Sequence, residues 1–181
     1  MARFGPPDFT AVRWLGAASL ALACAGITSL VCGIRINTSS SIPLGLYVAT
    51  RDSTAELIEF CPTEPFASQS SERGYRTPGT ACPDWAVPLL KPIVAVAGDL
   101  VIVNPDGIAV NGRSLPKTAP LKVDRVGRPL QPWPFGQYRV VPGQVWVAST
   151  YSRGSYDSRY MGPIQIRQIR RRLRPLWLIS G

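Results

Sequence analysis

The stretch from Ile36 to Tyr47 reads INTSSSIPLGLY, three consecutive serines held against a proline and a glycine. A serine hydroxyl becomes a useful nucleophile when a base stands beside it, and that base is most often histidine. This chain contains no histidine. The absence excludes a Ser-His-Asp or Cys-His site and any ordinary His-based zinc centre, so no metal or other cofactor is expected. Lysine is the usual substitute base. There are three lysines among the twenty basic residues. Lys117 and Lys122 lie in a polar, proline-flanked stretch and read as solvated. Lys91 lies in VPLLKPIVAVAGD, with apolar residues on nearly every side. Burial disfavours the ammonium form and lowers a lysine pKa, which is what a general base near neutral pH requires. The same pattern also fits a strand-edge lysine whose amine snorkels to solvent. The residues alone leave both readings open.

The elements that must position these groups divide the chain into unequal parts. Residues 1–13 form a short basic segment containing Arg3 and Arg13. Residues 14–34, WLGAASLALACAGITSLVCGI, carry no charge and are long enough to cross a bilayer core as a helix. The basic N-terminal flank favours a cytoplasmic N-terminus, with residues 35–181 on the periplasmic side of a bacterial inner membrane. A cleaved signal peptide is the rival reading, but the run is long for one and cleavage would sever INTSSS from its anchor. Ser41 follows Arg35, which closes the apolar run, by only six residues.

Cys24 and Cys32 fall inside the apolar run and read as small apolar residues. Cys61 and Cys82 fall in the soluble part, where an oxidising compartment would pair them around the polar, irregular segment 62–81. Closing a loop of that length is worth about 3 kcal/mol in the chain-entropy account. From Leu89 onward, short branched apolar runs alternate with turn signals such as Asn104-Pro105-Asp106-Gly107 and Asn111-Gly112. With 18 prolines and 16 glycines, the expected fold is mainly β, one β-rich domain behind a single N-terminal transmembrane helix. The net charge of +9 fits a basic surface, and the run QIRRRLR at 168–174 fits either lipid head groups or a solvated strand end. Finger spacing, an RNP-like sequence and a basic helix interleaved with aromatics are all missing, so nucleic acid is not an expected partner.

Three blocks then stand in a telling order: NTSSSIPLGLY, LLKPIVAVAGDLV and GSYDSRYMGPI. Together they resemble the nucleophile, lysine and Ser-x-Asp-Ser-Arg blocks of the signal peptidase family of Ser/Lys proteases. The Pro43-x-Gly45-x-Tyr47 tail and the Phe60-Cys61-Pro62 and Cys82-Pro83 segments are similar to the conjugative-transfer branch of that family, the TraF type. The resemblance implies a signal-peptidase-like β-rich catalytic domain with Ser41 as nucleophile and Lys91 as general base. Ser39 is the implied oxyanion donor, two positions before the nucleophile. Ser40 is the rival nucleophile, because ordinary signal peptidases leave two residues between serine and proline. Ser155 is implied to contact the base lysine, and Asp157 and Arg159 to fix the loop around it as an ion pair. One departure stands out: where ordinary members carry Gly-Asp-Asn upstream of Ser155, this chain reads VASTYSRGS.

The expected activity is a membrane-anchored serine peptidase or transpeptidase. It would process, and in some members cyclise, a membrane-inserted pilin precursor beside a type IV transfer apparatus. A general leader peptidase of exported proteins and a non-catalytic assembly component are the alternatives.

Overall fold

The computed structural model describes residues 33–179 together with Trp14, Leu15 and Ser19, which are helical. The expected anchor at 14–34 therefore lies largely outside the described residues. Among the described residues, no helix is long and apolar enough to cross a membrane. The unit from Arg35 onward is mainly β, as its turn-rich composition implies.

Strands β1 (Ile34–Asn37), β2 (Gly45–Thr50) and β3 (Leu57–Phe60) precede a helix, α1 (Phe66–Glu72). Next come β4 (Leu89–Ala95), β5 (Leu100–Asn104), β6 (Gly107–Val110), β7 (Arg113–Ser114), β8 (Gly136–Arg139) and β9 (Gln144–Val147). A one-turn helix, α2 (Ser158–Met161), leads to β10 (Ile164–Gln165) and the long β11 (Ile169–Leu178). One sheet has the order β1-β2-β11-β3-β4-β9-β10, and a smaller one the order β7-β6-β5-β8. From Ile169 on, the basic run 168–174 forms the first part of β11, with Arg170 and Arg174 exposed. Its strand lies inside the large sheet between β2 and β3, with Leu173 turned into the core and Arg171 paired with the buried Glu59.

Strand alternation assigns the cores. On β4, Leu89 and Ile93 pack with Ile58, Phe60, Val147 and Tyr160, whereas Leu90 points the other way, onto Ile42, Tyr47 and Leu173. Lys91 shares the side of Leu89 and Ile93 by the two-residue period, so the sheet itself turns it inward. Neighbouring β9 couples two cores: Val145 and Val147 join the first, and Trp146 between them fills the small sheet's core with Val101, Val103 and Ile108.

Cys61 and Cys82 are joined by a disulfide, with their Cα atoms 5.6 Å apart. The segment they enclose is less irregular than its composition suggests, because it contains α1. Its organiser is the buried Arg76, whose guanidinium donates to Ser70 Oγ at 2.8 Å and to the Ala67 carbonyl at 2.8 Å and pairs with Asp84. A seven-residue helix with two inward residues, Ala67 and Ser70, is too short to show a period in sequence.

The Pro43-x-Gly45-x-Tyr47 tail has a local explanation. Tyr47 is 3 % exposed, and its hydroxyl donates to the Pro43 carbonyl at 2.7 Å. Gly45 has φ +151°, and a Cβ there would run into the backbone of Trp177 on β11. Gly45→Ala should therefore push β2 away from β11 and lower the thermal midpoint by several degrees, in line with the cost of a backbone clash. Circular dichroism melting of the purified variant checks this, and an unchanged midpoint would contradict the close approach.

Candidate active site

The serine block is shaped by a side chain that precedes it. Asn37, 5 % exposed, donates through Nδ2 to the carbonyls of Ser39 (3.0 Å), Ile42 (3.2 Å) and Pro43 (3.0 Å). Its Oδ1 accepts from the Ser39 backbone N–H at 3.2 Å and from Ser39 Oγ at 2.9 Å. One carboxamide thus closes the loop on both sides, as Asx turns do where no sheet ladder is available. The loop delivers the three serines to different places. Ser40 Oγ accepts from Arg125 Nη2 at 3.1 Å, on the exposed side. Ser41 turns inward, and its Oγ lies 2.6 Å from Lys91 Nζ. The family pattern favoured Ser41 over its rival Ser40, and in the folded chain it is Ser41 that meets the lysine.

Lys91 is 4 % exposed and pairs in register with Ile58 of β3. Burial is the main cause that brings its pKa down from 10.5 to about 8. The Asp157 carboxylate pulls the other way, and the Arg159 guanidinium lowers it further. A lone buried carboxylate near an amine would hold it as ammonium. Here that carboxylate is committed elsewhere. Arg159 Nε donates to Asp157 Oδ1 at 2.8 Å and Nη2 to Oδ2 at 3.1 Å, with both side chains fully buried. Arg159 also donates to the carbonyls of Lys117, Arg153 and Ser149, each at 3.0 Å, so its remaining N–H groups are satisfied.

Ser149 was not singled out by sequence reasoning. Fully buried, it donates its hydroxyl to the Ser41 carbonyl and accepts from the backbone N–H groups of Tyr151 (3.1 Å) and Ser152 (2.9 Å). Its own N–H donates to Asp157 Oδ2 at 3.0 Å. The stretch that departs from the Gly-Asp-Asn pattern therefore connects the Asp157–Arg159 pair to the backbone of Ser41. That departure was the available signal. Behind it, Gly162 has φ +68° and sits beneath the Trp133 ring, so close that a Cβ would strike it.

Ser155 shares a cavity of about 490 Å³ with Ser39, Ser41 and Lys91. Its hydroxyl is buried and makes no hydrogen bond among the described residues, so the expected contact with Lys91 is not formed. Asp157 and Arg159 are not among the cavity's lining residues. Asp99, in the Gly-Asp pair that closes the lysine block, accepts from the Val96 N–H at 2.8 Å and from Asn111 Nδ2 at 2.7 Å, which makes it a turn-former.

A serine hydroxyl against a buried amine, in a cleft with a second free hydroxyl, is an arrangement able to support acyl transfer. Residues 15–177 match the protein family described as "Signal peptidase, peptidase S26". The chain belongs to that family. Among its relatives is a plasmid transfer protein TraF of Escherichia coli, 37% identical over 164 residues that cover 89% of this chain and 90% of the relative. A conjugal transfer protein TraF of Agrobacterium fabrum is 34% identical, covering 84% of this chain and 87% of its own length. A probable conjugal transfer protein TraF of Sinorhizobium fredii is 38% identical, covering 83% and 81%.

The depressed pKa of Lys91 carries a stability consequence with a definite sign. Below about pH 8 the folded state must bury an ammonium that the unfolded chain leaves in water. Between about 8 and 10.5 the folded lysine is neutral and the unfolded one still charged, so raising the pH stabilises the fold, by roughly 3 kcal/mol in all. Above that range the penalty is gone. Lys91→Met removes the titrating group, so its stability relative to wild type should be greatest and nearly constant below about pH 8 and fall between about pH 8 and 10.5. Urea unfolding of both proteins across that range checks it. A difference independent of pH would contradict the burial of a titrating amine.

Proposed function

We propose that this chain is a serine endopeptidase, anchored in the bacterial inner membrane by residues 14–34, whose Ser41–Lys91 pair processes the pilin precursor of a conjugative transfer system in the periplasm. The observation that carries the reading is the 2.6 Å contact between Ser41 Oγ and the buried Lys91 Nζ. The transfer setting rests on the relatives, which are named as plasmid or conjugal transfer proteins. A nucleophile six residues beyond Arg35, which closes the apolar run, suits a substrate that is itself membrane-inserted and cut just outside the bilayer.

In this mechanism neutral Lys91 accepts the Ser41 proton as Oγ adds to the scissile carbonyl. The oxyanion takes hydrogen bonds from the Ser41 backbone N–H and the Ser39 hydroxyl. Ser39 Oγ now donates to Asn37, so it reaches the oxyanion by rotating to another staggered χ1 position. Collapse breaks the C–N bond, and Lys91 returns its proton to the leaving amine. The ester on Ser41 is then resolved by water, giving a linear product, or by the pilin's own N-terminal amine, giving a cyclic one. Ser155, with a buried hydroxyl still unpartnered, supplies Lys91 with a contact once the site closes on substrate. Burial is what lowers the Lys91 pKa; Asp157 and Arg159 act through position without touching the reacting atoms, Arg159 offsetting part of the pull of the Asp157 carboxylate on the ammonium.

The test is the intact mass of pilin from cells carrying the transfer genes with wild-type enzyme, Ser41→Ala or Ser40→Ala. Wild type and Ser40→Ala should yield processed pilin, with a cyclic form one water lighter than the cleaved linear form. Ser41→Ala should yield only precursor. Normal processing in both variants would overturn the enzymatic reading.

A further inference from the structure

Ser41 lines two cavities, one largely apolar and one of mixed polar and apolar walls. One, of about 360 Å³, is walled by Ile42, Pro43, Tyr47, Leu57 and Pro92 and is largely apolar. The other, of about 490 Å³, contains Lys91 and Ser155 and is walled by two segments distant in sequence. One is the end of the disulfide-closed insert, with Arg73 and Tyr75, and the other is the loop containing Asp124, Arg125 and Arg128.

These two segments are built onto each other. Tyr75 Oη donates to Asp124 Oδ2 at 2.7 Å, Arg128 Nη2 to the Arg73 carbonyl at 2.9 Å, and Arg73 Nη1 to the Pro129 carbonyl at 2.8 Å. The single carboxylate of this wall, Asp124, is saturated. It also accepts from Arg128 Nε at 2.7 Å and from the backbone N–H groups of Val126 (3.0 Å) and Arg128 (2.9 Å). Arg128 is thereby neutralised. Among the described residues, Arg73 and Arg125 have no carboxylate partner. Arg125 reaches the serine block itself, at Ser40 Oγ. The cavity beside the nucleophile therefore holds two guanidinium groups in excess of its negative charge.

A peptide whose carbonyl lies at Ser41 must place its two flanks, and the two cavities receive them. We propose that the arginine-walled cavity is a subsite for a carboxylate of the substrate close to the scissile bond, held by Arg125 with Arg73 beside it. A guanidinium fork matches a carboxylate in two parallel hydrogen bonds, and because Arg125 is exposed and Arg73 half-buried the pair stays open to screening by salt. The carboxylate is either an Asp or Glu side chain or the C-terminal carboxylate of the cleaved tail. The proposal deepens the peptidase reading and rests on Ser41 marking the scissile position.

The test uses the purified full chain in detergent micelles with the Ser41→Ala substitution, so that binding is read without turnover. Fluorescent peptides spanning the processed end of the pilin carry a single Glu, or Gln in its place, walked through each position flanking the cut. Each is made with a free or an amidated C-terminus. Glu at one or two adjacent positions, or the free terminus, should bind about tenfold tighter than its neutral counterpart, as a charge-assisted pair would give. Added salt should weaken that preference. Arg125→Glu should abolish it, and Arg125→Lys should retain only part. A preference for Glu identifies a side-chain carboxylate, and a preference for the free end identifies the terminus. Binding that ignores charge at every position and at the terminus, or a preference untouched by Arg125→Glu, would overturn the subsite. Failure of the peptidase reading would show separately, as wild-type chain that leaves these peptides uncut.

Discussion

The amine of Lys91, held on the core side of β4 against Ser41, is the constraint that most of the surrounding structure answers to. An amine with apolar neighbours tends to lose its proton or to find an anion. The carboxylate that acts on it is Asp157, which left alone would stabilise the ammonium. Arg159 takes that carboxylate in a fully buried two-point pair. The net result is a lysine whose pKa falls to about 8, not one locked in a salt bridge. A buried ion pair is a weak device for stability, since desolvation cancels much of its attraction. Its presence here is better understood through the charge state it permits next door.

The same pair organises the backbone. Arg159 gathers the carbonyl of Lys117 and two from the 149–153 loop, and Asp157 accepts from Ser149, whose hydroxyl holds the carbonyl of Ser41. From the other side, Asn37 closes the serine loop onto itself. The nucleophile's backbone is therefore gripped from two directions, while its side chain faces the cavity. Position and protonation arise from one connected network, which is why hydroxyls so close in sequence meet such different surroundings.

Much of this was legible in the chain. The absence of histidine and the apolar setting of Lys91 drew attention to the lysine that the fold buries beside Ser41, because both depend only on composition and near neighbours. The β-hairpin at Asn104–Gly107 was visible in its turn residues. What stayed hidden depends on tertiary contact. Strand β11 was obscured by its arginines, since only Leu173 shows the inward period while Arg171 is excused by Glu59 on the next strand. Helix α1 was obscured by a polar composition that Arg76 satisfies from outside the helix. For Ser149 the sequence offered only the departure of its stretch from the Gly-Asp-Asn pattern, and its role stayed hidden because its partners lie at Ser41 and Asp157. The order of Ser39, Ser40 and Ser41 could be argued from spacing, but the difference between their surroundings is a property of the folded loop.

The central claim is that Lys91 is neutral enough near physiological pH to serve as the base for Ser41. The chain has three lysines, and Lys117 and Lys122 are absent from β4 and its core, so their signals can be assigned by substitution. The most direct measurement is a carbon NMR titration of the ε-methylenes in the full chain labelled at lysine. The account predicts one signal, lost in Lys91→Met, that titrates near pH 8. A Lys91 signal that titrates near 10.5, the ordinary lysine value, would contradict it.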